Sequence, residues 1–432
     1  MYKNAEERRK DRRIRIMFLI LTVSLLIVGY IYYEFEYRGL VEVPTNATST
    51  STRPLYSMEA FRKELRHYPK LYKAALEAPV DSKGGTYVIP GLHSTETLDS
   101  NKAHDTSICT SMTPQGIAVC DEYIFVSAYC HTKQHNSVIY VINRDTHRFI
   151  KEIVLPGKPH VGSLAYDDDR DNLWVCGSGS GLAQANAISL NRIKEYSLRR
   201  EKKPISYVFQ NYVLEIRRSS FMTYKDDHLY IGYFHSSQNG VLKKYAMELG
   251  GNIQNTIFQL NGMDIESGLA ITSATIPKQT QGMAFYYDKL FMSQSLGILP
   301  SQLVLFDDSI NQGKEYQKDA AMLSFKLPRM LEQIYIYDDQ IYMLFESAAY
   351  AYRDLPSISV DRILTMNISE LRRLVNEELQ EQQEARKQEI RMKKEAMKTV
   401  RWRKLSKLPW IADQVEFLSP HLLPEKKWKL FS

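Results

Sequence analysis

The chain has few cysteines and glycines for its length, and it contains no short motif of a familiar enzyme class. Its 432 residues include 4 cysteines and 20 glycines, too few for a disulfide-built scaffold or a collagen-like fibre. No serine nucleophile elbow, zinc-binding helix or nucleotide loop is found. A content of 44% hydrophobic and 25% charged residues is typical of a large folded domain with extensions. Indications of function must therefore come from longer patterns.

Charge is concentrated at the two ends of the chain. Residues 1–15 carry seven Lys or Arg against three acidic residues, and residues 386–432 carry thirteen against five. Because the whole chain has a formal net charge of +6, the part between these ends is left with about −6 by the same counting. The basic character belongs to the ends, and the central part is mildly acidic.

The N-terminal segment predicts a membrane anchor. Residues 16–33 contain no charge, and as a helix they would extend about 27 Å, close to the thickness of a bilayer core. Basic residues precede the segment, whereas Glu34 and Glu36 follow it. The positive-inside rule then places residues 1–15 in the cytoplasm and the bulk of the chain outside. A cleaved signal peptide is the alternative, but no A-x-A-like site follows. We predict a single-pass cell-membrane protein.

A pattern of short apolar strands occurs five times. Each copy has an apolar strand, an Asp-centred turn and a second apolar strand ending in small polar residues, and the copies begin at Gly116, Gly162, Ser220, Gly282 and Glu332. The intervals of 46, 58, 62 and 50 residues leave room for four strands per copy. The sequence thus predicts an all-β fold, a β-propeller over residues 86–368, with five blades favoured over six or seven.

The ends of the predicted propeller complete each other. The fifth repeat lacks its outermost strand, and an unassigned strand at residues 86–92 precedes the first repeat. Pairing of these segments would close the ring and remove free sheet edges. Before the propeller we predict a Ser/Thr-rich linker over residues 34–55 and a helical cap over residues 56–85.

The aspartates of the second repeat have two interpretations. Asp167, Asp168, Asp169 and Asp171 resemble a calcium loop. The other repeats, however, carry Asp at the same turn, and Asp favours tight turns because its side chain bonds the nearby backbone. We favour turns, with calcium as the alternative, and predict neither a metal site nor a cofactor.

The repeat also indicates where a site would lie. In a propeller, residues that precede each innermost strand or end the second strand gather around the central channel. The predicted ligand-binding residues are Gln115, Tyr129, His160, Arg218, Tyr233, His235, Gln281, Ser293, Glu332 and Glu346. Such a ring suits a polar ligand or a protein partner. Alternatively, these polar groups form hydrogen bonds with one another and with the flanking backbone and bind no ligand.

An envelope enzyme is the other function that this ring allows. A hydrolase, lyase or cyclotransferase would use Glu332, Glu346 and His160 as acid and base groups. The two carboxylates belong to one repeat, and His160 has no recognisable partner motif. No catalytic residue is therefore assigned.

The repeat resembles extracytoplasmic bacterial propellers of the NHL-repeat, gluconolactonase-like and streptogramin-lyase-like group. TQGMAFYYDKLFMSQS at residues 280–295 is similar to the TQGL…LYEST blade of five-bladed glutamine cyclotransferases, and LFESA at residues 344–348 shares part of it. Met292 stands where that blade has Glu, and Glu346 restores the carboxylate only in the other copy. The resemblance implies a fold more than an activity.

All four cysteines belong to the first two repeats. Cys109 and Cys130 should both approach the channel face, and an extracytoplasmic location permits a disulfide between them. Cys120 is predicted in a turn at the opposite end. Buried thiols are the equally compatible alternative.

Residues 369–432 predict a charged helical extension with a basic aromatic tail. No Pro or Gly occurs from Ser369 to Lys404, and aromatic residues alternate with Lys and Arg near the end of the chain. This mixture suits an anionic lipid surface or an acidic envelope polymer. A solvated helix is the alternative. Nucleic acid is not expected as a partner because the tail is predicted to lie outside the cell.

Overall fold

Strands form most of the chain between residues 86 and 367. The computed structural model describes residues 5–36, 40–78, 84–102, 104–308, 315–316, 321–355 and 358–399. Residues 1–374 and 375–432 form two separate units, each described by itself. The strands are β1 (Thr86–Val88), β2 (Thr95–Leu98), β3 (Thr106–Cys109), β4 (Met112–Val119), β5 (Tyr123–Cys130), β6 (Val138–Asn143), β7 (Phe149–Val154), β8 (Leu164–Asp167), β9 (Asn172–Gly179), β10 (Leu182–Ser189), β11 (Phe209–Tyr212), β12 (Phe221–Lys225), β13 (His228–Tyr233), β14 (Gly240–Ala246), β15 (Asn255–Leu260), β16 (Met263–Gly268), β17 (Ala270–Ile276), β18 (Thr280–Tyr286), β19 (Lys289–Gln294), β20 (Ser301–Asp307), β21 (Leu323–Leu327), β22 (Leu331–Tyr337), β23 (Gln340–Phe345) and β24 (Arg362–Asn367).

These strands form a five-bladed β-propeller, as predicted. The blades are the sheets β4-β5-β6-β7, β8-β9-β10-β11, β12-β13-β14-β17, β18-β19-β20-β21 and β22-β23-β24-β1, which we number 1 to 5. The innermost strands β4, β8, β12, β18 and β22 contact one another in a closed ring. The separate hairpin of β2 and β3 contacts the outer strand β7 of blade 1.

The ring closes between its two ends, as the unassigned strand predicts. β1 pairs antiparallel with β24, with Tyr87 opposite Ile363, and so completes blade 5. Tyr87 is buried, donates its hydroxyl to the Arg144 carbonyl oxygen at 2.9 Å and stacks on His147 with ring centroids 3.9 Å apart. Closure therefore also ties blade 5 to blade 1.

Glycine begins several repeats because neighbouring innermost strands approach closely. A Cβ atom on Gly116 would lie 2.7 Å from the Ser163 Cα and 2.8 Å from the Leu164 nitrogen. A Cβ atom on Gly282 would lie 2.8 Å from the Gln333 Cα. Both contacts are with the backbone of the next blade, which cannot move aside as a flexible side chain can.

One buried glutamine links four innermost strands at the centre of the ring. The Oε1 atom of Gln333 in β22 accepts hydrogen bonds from the amides of Ile117 (2.7 Å) and Leu164 (3.0 Å). Its Nε2 atom donates to the carbonyl oxygens of Leu164 (2.7 Å) and Met222 (3.2 Å). Gln333 is 0% exposed. It therefore bonds backbone groups of blades 1, 2 and 3 from blade 5.

An inserted hairpin accounts for the 62-residue interval. β15 and β16 lie between β14 and β17 in sequence, and β16 extends blade 2 through a parallel bridge from Tyr212 to Ser267. The turn at Asn261 and Gly262 has positive φ at both residues. Asn-Gly is the strongest short hairpin signal, and it was present in the sequence.

The aspartates of the repeats lie in turns. The Asp167 Oδ1 atom accepts hydrogen bonds from the amides of Asp169 and Arg170, both at 3.2 Å. Asp338 and Asp339 have φ values of 52° and 55°, in the left-handed region that Asp tolerates. Their recurrence is explained by turn geometry.

The N-terminal helix, α1 (Ala5–Glu36), includes the predicted anchor. Within the described residues it is the one helix long and apolar enough to cross a membrane, over Arg9–Tyr30, and none of that stretch is buried in the protein. A signal sequence near an N-terminus would pass the same test.

The Ser/Thr-rich segment after α1 lies along the propeller. The amide of Val43 donates to the Thr110 hydroxyl at 2.9 Å. The Asp361 carboxylate accepts from the amides of Leu55 (2.7 Å) and Tyr56 (2.9 Å). The segment buries little apolar surface, and hydrogen bonds hold it in place instead.

Short helices follow this segment where the cap was predicted. They are α2 (Met58–Leu65), α3 (Pro69–Tyr72) and a π-helical turn (Lys73–Glu77). Pro69 begins α3, so it separates two helices because its ring lacks an amide donor. Phe61 is buried, and the Arg362 guanidinium lies 4.9 Å from its ring centroid.

Two further short helices, α4 (Leu190–Glu195) and α5 (Leu198–Glu201), follow β10. The last described helix, α6 (Ile368–Thr399), agrees with the predicted C-terminal helix. Leu371 and Leu374 are buried in the first unit. In the second unit Ile390 and Met392 are exposed. The predicted basic aromatic tail at residues 400–432 lies outside the described residues.

Candidate functional site

A cavity of about 630 Å³ opens at the mouth of the central channel. Its wall contains residues just before or near the start of the innermost strands of all five blades, together with residues at the ends of second strands. Seven of the ten predicted residues line it: Gln115, Tyr129, His160, Arg218, Gln281, Glu332 and Glu346. Repeat register therefore brings together side chains that lie up to 231 positions apart.

The other three predicted residues lie outside this lining. Ser293 is buried between blades and donates its hydroxyl to the Glu332 carbonyl oxygen. The His235 Nδ1 atom accepts from the Gln238 amide at 3.0 Å, and Tyr233 packs against the His235 ring edge to face. These groups support the loops around the mouth.

A pair of carboxyl groups, Glu332 and Glu346, lies on the cavity wall. Glu332 belongs to β22 and Glu346 directly follows β23, so one antiparallel hairpin brings both to the same end of blade 5. The two carboxyl groups hydrogen-bond to each other. Two amides flank them: Gln115 Nε2 donates to Glu346 Oε2 at 2.7 Å, and Gln281 Nε2 lies 3.5 Å from Glu332 Oε1.

This pair holds a proton near neutral pH. Burial raises the pKa of Glu346 to about 7, although the Gln115 and Glu332 hydrogen bonds and Arg329 oppose that rise. Burial and the charge of Glu346 raise the pKa of Glu332 well above its usual range. Glu332 is therefore protonated when Glu346 ionises, and it donates to the Glu346 carboxylate.

Aromatic rings and a neutral imidazole form another wall of the cavity. The Tyr129 ring stacks on His160 with centroids 4.4 Å apart. Desolvation, together with the charges of His131, Lys133 and Arg218, lowers the pKa of His160. His160 is thus neutral at pH 7, able to accept or donate a hydrogen bond.

Three cations surround the opening. Lys133, Arg217 and Arg218 line the cavity and are exposed. Within the described part of the chain, none of them forms an ion pair with a carboxylate. The opening is therefore positively charged above a carboxyl pair that becomes negatively charged as the pH rises through about 7.

The lining also includes residues that the sequence did not single out, among them Lys133, Arg217 and Tyr352. Arg217 was visible as the first member of an Arg doublet before the third repeat. Tyr352 follows the last repeat strand in a loop held by buried Arg329, which donates to the Tyr352 carbonyl oxygen at 3.0 Å. No sequence pattern reveals that loop, because its position depends on Arg329.

No known protein family matches the chain, and no curated protein matches it in sequence. Solved structures do resemble it: hydrazine synthase of Kuenenia stuttgartiensis (12% identity, 54% of this chain and 55% of that chain, TM-score 0.31), a nidogen/laminin complex (10%, 60% and 84%, 0.32) and the WD40 repeats of RRP9 (11%, 54% and 73%, 0.33). The chain spans about half of the hydrazine synthase chain. Identities of 10–12% and TM-scores of 0.31–0.33 are too low to indicate a function for this chain.

The resemblance to the NHL-repeat and gluconolactonase-like group is supported only as far as the fold. The five repeats, the closed ring of innermost strands and the pairing of β1 with β24 are properties of the chain itself. They identify the protein as a five-bladed β-propeller preceded by an apolar helix.

Proposed function

We propose that the protein is a membrane-anchored, extracytoplasmic binding protein whose channel-mouth cavity takes a small polar molecule with an anionic group. The observation that carries the proposal is the convergence of Lys133, Arg217 and Arg218 on one open cavity without carboxylate partners among the described residues. Unpaired cations beside a concave polar wall attract anions and concentrate them at the site.

The dimensions of the cavity favour a small molecule over a protein surface. A volume of about 630 Å³ lies within the ordinary range of ligand pockets, roughly 300–1,000 Å³. The carboxyl pair with Gln115 and Gln281 can bind hydroxyl or amide groups, while the Tyr129 and His160 rings supply a flat apolar contact. The ligand class that fits is a small organic anion with hydrogen-bonding groups at its other end.

Loss of one cation should weaken binding without unfolding the protein. The full chain in detergent is titrated against carboxylates, phosphate monoesters and sulfonates, and binding is measured by calorimetry. Since a hydrogen bond to a charged group contributes about 1.5–3 kcal/mol, Arg218→Ala should weaken the best ligand by about tenfold or more. Its melting temperature should stay within a few degrees because Arg218 is exposed.

A control variant distinguishes a direct contact between Arg218 and the ligand from long-range attraction of the anion by the overall charge of the protein. Lys326→Ala removes an exposed cation of β21 that does not line the cavity, so it should leave affinity nearly unchanged. Equal losses in both variants would contradict a specific anion site. A large fall in melting temperature for Arg218→Ala would show a structural role instead.

The proposed orientation rests on the asymmetry of charge around α1. Basic residues precede the apolar stretch, and Glu34 and Glu36 follow it. Protease added to intact cells that express the full chain should therefore digest the propeller and spare only the N-terminal segment. Recovery of a protected propeller fragment would reverse the orientation. In the proposed orientation, residues 386–432, with thirteen Lys or Arg against five acidic residues, would face an anionic lipid or polymer on the outer side.

An envelope enzyme is the second candidate, and the carboxyl pair favours it. Glu332 and Glu346 share a proton at the cavity wall, as an acid and base pair would. In a hydrolase, lyase or cyclotransferase, Glu346 would accept a proton from the reacting group and Glu332 would donate one.

A further inference from the structure

Four metal-ligating side chains meet beside blade 1, away from the channel-mouth cavity. Glu42 comes from the segment after α1, Cys109 ends β3, Cys130 ends β5, and His135 lies in the loop before β6. One ligand atom from each lies within 4.8 Å of all the others. Cys109, Cys130 and His135 are at most 6% exposed. The cluster is therefore built into the protein interior and not onto its surface.

The separations match those around a tetrahedral metal ion. Glu42 Oε1 lies 3.5 Å from Cys109 Sγ, 3.6 Å from Cys130 Sγ and 3.0 Å from His135 Nδ1. Cys130 Sγ lies 3.6 Å from His135 Nδ1. Zinc bonds of about 2.3 Å to sulfur and about 2.0–2.2 Å to nitrogen or oxygen place tetrahedral ligands about 3.3–3.8 Å apart. The observed separations of 3.0–3.6 Å are therefore close to those that a tetrahedral ion requires.

Neighbouring hydroxyl groups orient the ligands. His135 Nε2 lies 3.1 Å from the Ser107 hydroxyl, which leaves Nδ1 directed to the cluster. The Thr132 hydroxyl lies 3.0 Å from Cys130 Sγ and donates to Glu42 Oε1 at 2.8 Å. The Ser111 amide donates to Cys109 Sγ at 3.4 Å. Such outer contacts are a regular feature of metal sites, because they hold the ring and the thiolates in one orientation.

We propose that Glu42, Cys109, Cys130 and His135 bind a structural Zn²⁺ ion. Two thiolates, an imidazole and a carboxylate form a mixed N/S/O set that zinc accepts and that calcium or magnesium does not. Four protein ligands complete the tetrahedron and leave no position for substrate, so the site is structural rather than catalytic. Both thiols release their protons when the metal binds.

The proposed site would fasten the segment after α1 to the propeller. Glu42 lies 67 positions before Cys109 and 93 positions before His135, and it is six residues past the end of α1. The ion would therefore join the segment nearest the apolar helix to the hairpin of β2 and β3 and to blade 1. This role is independent of any ligand in the channel-mouth cavity.

A Cys109–Cys130 disulfide is the competing account of these thiols. Both cysteines are free thiols in the structure. A disulfide would bring the sulfur atoms to about 2.05 Å and would give buried His135 and half-buried Glu42 no common partner beyond each other. Zinc uses all four groups together, whereas the disulfide explains two of them.

Metal content and thiol state decide between the two. The full chain is purified in detergent, without reductant, from cells grown with zinc. Its metal content is measured by inductively coupled plasma mass spectrometry. We expect about one Zn²⁺ per chain and four free thiols after denaturation in chelator. Replacing zinc with Co²⁺ should produce the visible bands of a tetrahedral thiolate site in the unmodified protein, a readout that needs no variant.

Matched variants locate the metal. Cys109→Ser, Cys130→Ser and Glu42→Gln should each lose most of the bound zinc, whereas Cys120→Ser, which removes a buried thiol of the first repeat outside the cluster, should retain it. Circular dichroism identifies any variant that fails to fold. If a variant does not fold, the cobalt spectrum of the unmodified protein shows whether the thiolate site exists. A zinc-free protein with a Cys109–Cys130 disulfide, or one with four free thiols that takes up neither metal on dialysis, would overturn the proposal.

Discussion

Replacing Gln333 with leucine should lower the free energy of unfolding by about 3 kcal/mol or more, or prevent folding. The reason is the position of its amide group at the centre of the ring. Leucine fills most of the same volume but leaves the amides of Ile117 and Leu164 and the carbonyl oxygens of Leu164 and Met222 without that partner. Each buried group that loses its hydrogen bond costs about 1–3 kcal/mol.

Thermal unfolding of the full chain in detergent, followed by circular dichroism, measures this loss. Gln333→Glu keeps the acceptor but removes both donors and places a charge in the buried centre, so it too should destabilise strongly. Gln302→Leu is the control, because Gln302 on β20 is half-buried and bonds only the exposed Ser324 hydroxyl in the described contacts. Similar melting temperatures for Gln333→Leu and Gln302→Leu would contradict the central role.

Raising the pH from 5 to 8 should reduce the stability contributed by the carboxyl pair. The folded-state pKa of Glu346 is raised to about 7, so between about pH 4.5 and 7 the folded protein holds a proton that the unfolded chain has lost. Stability is greatest below this window and falls as pH rises through it, by as much as about 1.4 kcal/mol per pH unit for one proton. Glu346→Gln should make this part of the pH profile of the melting temperature less steep, and the raised pKa of Glu332 accounts for the slope that remains. An unchanged profile would contradict the proton-holding pair.

Glu332→Gln separates the binding protein from the enzyme. Its amide still donates to Glu346 and carries no charge, as the protonated Glu332 does, so melting temperature and ligand affinity at pH 7 should stay near those of the unmodified protein. It cannot transfer a proton, so any turnover of the ligand should fall by about 100-fold or more. Turnover that survives in Glu332→Gln would remove Glu332 from a catalytic role, and a ligand that is bound but never turned over would favour the binding protein.

The positions of the site residues were predictable where repeat register alone decides them. Gln115, Gln281 and Glu332 lie in the first halves of innermost strands, and register brings all three to the cavity. Ser293 shows where register fails. It ends a second strand as predicted, but side chains alternate across a strand, and its hydroxyl faces the neighbouring blade.

The sequence by itself determined the blades, the turns and the closure of the ring, because strand alternation, Asp turns and the unassigned strand at residues 86–92 are local signals that repeat. Only the tertiary structure decided which distant groups meet. The shared proton of Glu332 and Glu346 depends on burial. In the cluster of Glu42, Cys109, Cys130 and His135, Cys130 and His135 form the one close pair, and the paired ligand spacings that mark zinc motifs are lacking. Glu42 and Cys109 come from two other segments, so their meeting with this pair is set by packing around blade 1.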